Sequence, residues 1–157
     1  MVEKLKMIWQ DAKQLKDERG LTLVELLVVV VILGIIAAIA VVAIGGIIEN
    51  SKKDAMVADA KQMVSAAKLY TASNPVSEET TMKFAGSTGT VDGTQYVDNL
   101  KDPFTDSSGY TSAYVTIKPS TDGKYTYSVN VTGTKFKLEA ANESAVKKAN
   151  LSAIKTP

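Results

Sequence analysis

The chain has 157 residues with 18 basic and 17 acidic side chains, no histidine and no cysteine. That length leaves room for one modest domain beside a long apolar segment. Without His or Cys the common zinc sites and nucleophile–base pairs are unavailable, and no disulfide can staple a small fold. The near balance of charge argues against a dedicated polyanion-binding surface, which shows as a basic stripe.

Residues 1–20 read as a polar leader carrying Lys4, Lys6, Lys13, Lys16 and Arg19 and ending on Gly20. Removing them would leave residues 21–157 formally neutral, with 13 charges of each sign. From 26 to 48 the chain runs 23 residues without a charge. At ~1.5 Å per residue a helix there is about 34 Å long and can cross a bilayer. Only Lys52 and Lys53 lie close after it, so the positive-inside rule places the leader in the cytoplasm. Two plain readings compete: a membrane anchor, and a secretory signal cut after the apolar stretch near 43–46. Neither accounts for Glu25, a single acid in the first turn of the apolar helix.

Beyond Glu49 the chain turns polar but keeps helical spacing. Met56, Ala60, Met63, Val64, Ala67 and Tyr70 or Thr71 fall on one face, with Lys52, Asp59, Lys61 and Lys68 mostly off it. Asn74-Pro75 ends the pattern, because a residue before proline is pushed out of helical dihedrals. Residues 82–98 are glycine-rich and read as a long loop, with room for one short strand. Three strands are predicted after it, over 113–118, 124–132 and 134–140. In the second, Tyr125, Tyr127, Val129 and Val131 alternate with Thr126, Ser128 and Asn130. Turn residues at 119–123 and 132–134 join them into an antiparallel meander. A meander needs a partner layer, and the amphipathic half-helix supplies it. The tail from 142 reads as a weak final helix or an extra edge segment. The expected fold class is therefore α+β, a long N-terminal helix on a small antiparallel β-meander headgroup. Its divisions are 1–20 leader, 21–48 apolar helix, 49–74 amphipathic half-helix and 75–157 headgroup.

The run Arg19-Gly20-Leu21-Thr22-Leu23-Val24-Glu25, followed by the apolar stretch, resembles the prepilin signature of type IV pilins and related pseudopilins. The resemblance implies cleavage between Gly20 and Leu21 by a membrane prepilin peptidase, and methylation of the new Leu21 amine. It implies packing of the apolar helices into a filament, with Glu25 and Leu21 as assembly residues. A lone carboxylate at the centre of a membrane helix costs ~2.5 to 3.5 kcal/mol on insertion scales. An ammonium 4 Å away returns about 4 kcal/mol at an effective dielectric of 20, before desolvation is subtracted. The Leu21 amine of a neighbouring subunit is the expected partner, and the pair would set axial register. Capping of its own first turn is the weaker alternative, since an acid there also suits the helix dipole.

Gly34 matches a glycine common in the family, whereas the family's proline eight residues on is replaced by Val42. Gly45 and Gly46 stand as substitute points of helix flexibility. The absence of a C-terminal cysteine pair and the long leader lean toward a Gram-positive source. Asp102-Pro103-Phe104, with Asp106, resembles the Asp-Pro-aromatic loop of major pseudopilins, some of which hold calcium nearby. Two carboxylates are few for a cation wanting six to eight oxygens, and a plain turn with proline in second place is the simpler reading. The expectation is therefore no metal, with Asp102 and Asp106 as the one weak candidate loop. Asn130-Val131-Thr132, Asn142-Glu143-Ser144 and Asn150-Leu151-Ser152 fit a glycosylation sequon that arises often by chance. The glycines of 86–93 lack the lysine and the strand-to-helix setting of a phosphate loop.

The resemblance implies no catalysis and no cofactor. Its favoured function is structural: a major pilin, anchored once in the cytoplasmic membrane and then polymerised into an extracellular helical homopolymer. Partners would be further copies, the peptidase, a membrane platform protein and an assembly ATPase, with DNA or host surfaces beyond. Motility, adhesion and DNA uptake are the roles of such filaments. The alternatives are a pseudopilin of a type II secretion or competence system, a minor pilin, and, remotely, an enzyme or receptor domain on a signal anchor.

Overall fold

One helix dominates the chain. The computed structural model describes residues 1–98, 100–106 and 108–155, with 14–21 and 140 in backbone only. Helix α1 covers Val2–Ser73. By its contacts the chain divides into two units, Met1–Ile47 and Ile48–Pro157.

The first unit is helical from Val2, and its leader is therefore more than a polar tail. None of its described side chains is buried: Leu23 is 69% exposed, Leu27 65% and Ile39 66%. Among the described residues nothing covers this apolar surface. It contains the one helix, among the described residues, long and apolar enough to cross a membrane.

The second unit is the α+β headgroup. The last turns of α1 bury Met56, Ala60, Met63 and Ala67 to 1% exposure or less and Val64 to 3%, on the face that the spacing predicts. Val57, Ala66 and Thr71 widen the stripe. The helix stops at Ser73, where the Asn74 backbone N–H and side-chain amide both donate to the Tyr70 carbonyl at 2.8 and 3.3 Å.

The sheet has six strands: β1 (Thr80–Ala85), β2 (Val91–Asp92), β3 (Ser112–Pro119), β4 (Tyr125–Thr132), β5 (Phe136–Asn142) and β6 (Ser152–Ala153). Their order is β2-β1-β3-β4-β5-β6. The expected meander is β3, β4 and β5, antiparallel and in register through Val115↔Val129 and Val131↔Leu138. Met82, Phe84, Ala113, Val115, Ile117, Val129, Val131 and Leu138 form its inner face against the helix stripe. Alternation along each strand is what sends these residues to one side.

Two segments refine the sequence reading, which left room for one short strand in 82–98 and for an edge segment after 142. The stretch read as loop supplies β1, which pairs with β3 and buries Met82 completely. It also supplies β2, parallel to β1. That parallel pairing is a short fold-back, held by Thr90 N–H to the Thr81 carbonyl and Gly93 N–H to the Lys83 carbonyl. Gly89 makes it possible: its φ is +144°, and a Cβ there would lie 2.7 Å from the Lys83 Cβ. The tail forms two single 3-10 turns, Glu143–Ala145 and Lys148–Asn150, before β6 pairs with β5. It is thus an edge segment, sealed to the core by Val146 at 1% exposure.

Candidate functional site: the processing segment and the headgroup loop

Gly20 and Leu21, the expected cleavage and methylation positions, are described in backbone only, within α1. Glu25 is exposed on the same helix between exposed neighbours Val24 and Leu26, each 62% accessible. Among the described residues no hydrogen bond or ion pair engages its carboxylate. The charge stands at the head of a surface that is otherwise aliphatic as far as Ile48. An isolated carboxylate on such a surface is costly in an apolar environment unless a cation pairs with it.

Gly34, Gly45 and Gly46 are helical, and a Cβ at any of them would meet nothing within 4 Å. No contact inside the chain requires a glycine at these positions. Their effect here is on helix strength, about 1 kcal/mol each relative to alanine. The helix nevertheless runs through Gly34, Val42 and Gly45-Gly46 without a break. That is consistent with the loss of proline at Val42, since Val42 retains the backbone donor that proline lacks.

In the headgroup, Asp102 is 1% exposed, which no spacing rule signalled. Its Oδ1 accepts the Phe104 N–H at 2.9 Å, and its Oδ2 accepts the Thr134 N–H at 2.6 Å and hydroxyl at 2.8 Å. The Thr105 N–H donates to the Asp102 carbonyl at 3.2 Å, closing the turn that Pro103 in second place predicts. Asp102 therefore fastens the 102–105 turn to the link between β4 and β5. Gly133 permits the approach, because a Cβ there would fall 2.9 Å from Oδ2. Asp106 is exposed and stands apart from this network. No group of three or more His, Cys, Asp or Glu side chains that could hold a metal ion occurs among the described residues.

Two further clusters escaped the sequence reading. Tyr110 is buried and donates its hydroxyl to Asp59 Oδ2 at 2.6 Å, joining the loop before β3 to α1. Burial raises the Asp59 pKa above the ordinary carboxylate value, outweighing the lowering effect of that bond. Burial, together with the Asp59 carboxylate, raises the Tyr110 pKa. Just past the apolar stretch, Lys53 Nζ lies 4.4 Å from the centroid of the Phe136 ring and Lys52 Nζ 5.7 Å from that of Phe104. The two rings stand 5.0 Å apart. Spacing revealed neither pair, because each joins residues distant in sequence.

Residues 15–41 match the family model described as the prokaryotic N-terminal methylation motif. No curated protein and no solved structure matches the chain with significance. Proteins with this motif are structural subunits, not enzymes, and the motif together with the apolar helix marks a membrane-anchored precursor. Over residues 15–41 the chain is similar to type IV pilins and pseudopilins, proteins processed by prepilin peptidase.

Proposed function

We propose that the chain is the major subunit of a type IV pilus. It is cut between Gly20 and Leu21, methylated on Leu21, and drawn from the membrane into a filament by a platform protein and an ATPase. The observation that carries this reading is the uncovered aliphatic surface of residues 26–48 with Glu25 alone at its head. Lipid covers that surface in the precursor, and helices of other copies cover it in the filament. Cleavage creates the Leu21 ammonium, which neutralises Glu25 of a neighbouring copy and sets the axial step. The leader is residues 1–20, the assembly helix 21–48, and the displayed part 49–157. Filaments at the cell surface would serve motility, adhesion or DNA uptake.

One experiment addresses both halves of the proposal: intact-mass measurement and electron microscopy of sheared surface filaments from wild-type and Glu25→Ala cells. The expected subunit begins at a methylated Leu21, and Glu25→Ala is cut and inserted but yields no filaments. A subunit retaining residues 1–20 would refute the processing step. Normal filaments from Glu25→Ala would refute the register role and favour local capping. The Asp102-Pro103-Phe104 loop favours a second reading, a pseudopilin of a secretion or competence system. Processed subunits without long surface filaments would select it.

A further inference from the structure

The leader is polar by composition, yet its helix gathers most of its apolar residues on one side, with Met7 the exception. Val2, Leu5, Ile8, Trp9 and Ala12 lie in the helical run that starts at Val2. At about 100° per residue these five share an arc of about 120°. Lys6 and Lys13 border the arc on one side and Lys4 on the other. Glu3, Met7 and Gln10 take the opposite face, and Asp11 lies beyond Lys4. The apolar arc is bare: Val2 is 68% exposed, Leu5 and Ile8 66% each and Trp9 70%. Lys13 Nζ sits 5.3 Å from the centroid of the Trp9 ring, so a cation is held at the arc's aromatic edge.

We propose that residues 2–13 form an in-plane amphipathic helix that binds the anionic phospholipid surface of the cytoplasmic leaflet through Leu5, Ile8 and Trp9. Charge complementarity and tethering select this occupant. The flanking lysines stand nearer the arc than either acid does, so their stems lie along apolar surface while their ammonium groups reach lipid phosphates. A tryptophan at the arc's edge suits the headgroup level. The apolar stretch at 26–48 anchors the same chain in the same membrane, which keeps the leader within reach of that surface. The structure shows one continuous helix through this interval, so lying in the plane requires a bend to form at the membrane, and Gly20 is the weakest helix former there. An in-plane leader would hold the Gly20–Leu21 bond at headgroup depth, where a membrane peptidase works. The inference rests on the membrane-anchored precursor and is independent of the pilus assignment.

Trp9 is the chain's single tryptophan, so its emission reports the leader alone. The test is the full-length precursor reconstituted in phosphatidylcholine vesicles with and without phosphatidylglycerol. In the anionic vesicles we expect blue-shifted emission that brominated lipid quenches, and a smaller shift in phosphatidylcholine alone. Leu5→Ser combined with Ile8→Ser returns the emission to its water value, whereas Met7→Ser on the opposite face leaves it shifted. Water-like emission from an inserted precursor in both lipids would overturn the proposal. An equal shift in both lipids would overturn the anionic surface as the occupant. Loss of the shift in Met7→Ser would overturn the assigned face.

Discussion

Replacing Asp102 by alanine removes the acceptor of three hydrogen bonds at once, from the Phe104 N–H, the Thr134 N–H and the Thr134 hydroxyl. A hydrogen bond to a charged group contributes about 1.5–3 kcal/mol, and a buried donor left without a partner costs about 1–3 kcal/mol. These terms do not add in full, because Thr134 is exposed and water can replace the carboxylate at that end. Phe104 is only half-exposed, and its N–H is served less well by solvent. A net loss of about 2–4 kcal/mol follows, a large share of the 5–15 kcal/mol or so typical of a whole domain. At roughly 4–8 °C per kcal/mol for a domain of this order, Tm falls by about 8–30 °C. The assay is thermal unfolding by circular dichroism of the headgroup fragment 48–157, a unit in its own right. Asp102→Asn keeps the acceptor for Phe104 but turns an amide toward Thr134, and loses about half as much. Asp106→Ala, at an exposed position, changes Tm by little. A calcium chelator leaves the wild-type curve in place. Equal melting of Asp102→Ala and Asp106→Ala would refute the clamp. So would a chelator that lowers the wild-type Tm as far as Asp102→Ala does, since that result would restore Asp102 as a metal ligand.

Two further outcomes test the headgroup. Val64→Asp places an unpaired carboxylate at a position 3% exposed and destabilises the fragment by about 3 kcal/mol or more, whereas Lys61→Asp on the exposed face stays within about 0.5 kcal/mol. Equal Tm values for the two would contradict the packing of that helix face. Tyr110 has its pKa raised on folding, so its contribution to stability is complete below the unfolded value of 10.0 and is lost as pH rises above it. Tyr110→Phe should therefore melt lower than wild type near neutrality and fall less steeply above pH 10, a trend readable from Tm against pH; parallel curves would exclude Tyr110 as the source.

The helix, its end at Asn74 and the three central strands were legible because each rests on local periodicity. Every third or fourth residue of the helix stripe is apolar, and Tyr125 to Val131 alternate. β1 was legible only as room for one short strand, because the signal of Met82 and Phe84 sits between threonines and a glycine cluster. Only the neighbouring β3 reveals that these residues face a core. The site divided in the same way. Gly20, Leu21 and Glu25 stand out as a linear signature, since a carboxylate before 23 uncharged residues is conspicuous in any sequence. Asp102 and Tyr110 carry no such mark. Asp102 meets Thr134 from 32 positions away and Tyr110 meets Asp59 from 51, distances at which pattern carries no information.

The strand order has a consequence for how the sheet meets other backbones. Both borders of the sheet, β2 and β6, are two residues long. A border strand offers unpaired N–H and C=O groups to any neighbouring backbone, and its length sets how firmly a foreign strand can hold. Two residues give such a strand little to grip. Behind them lie β1 and β5, with six and seven residues, which would be adequate templates if uncovered. The fold-back at Gly89 and the tail after Val146 thus act as guards against edge-to-edge aggregation. If the chain polymerises as proposed, headgroups shielded in this way could stand side by side at high density while self-association is left to the helix. Truncating the tail before β6 would then produce a protein that still inserts but clumps through its sheets.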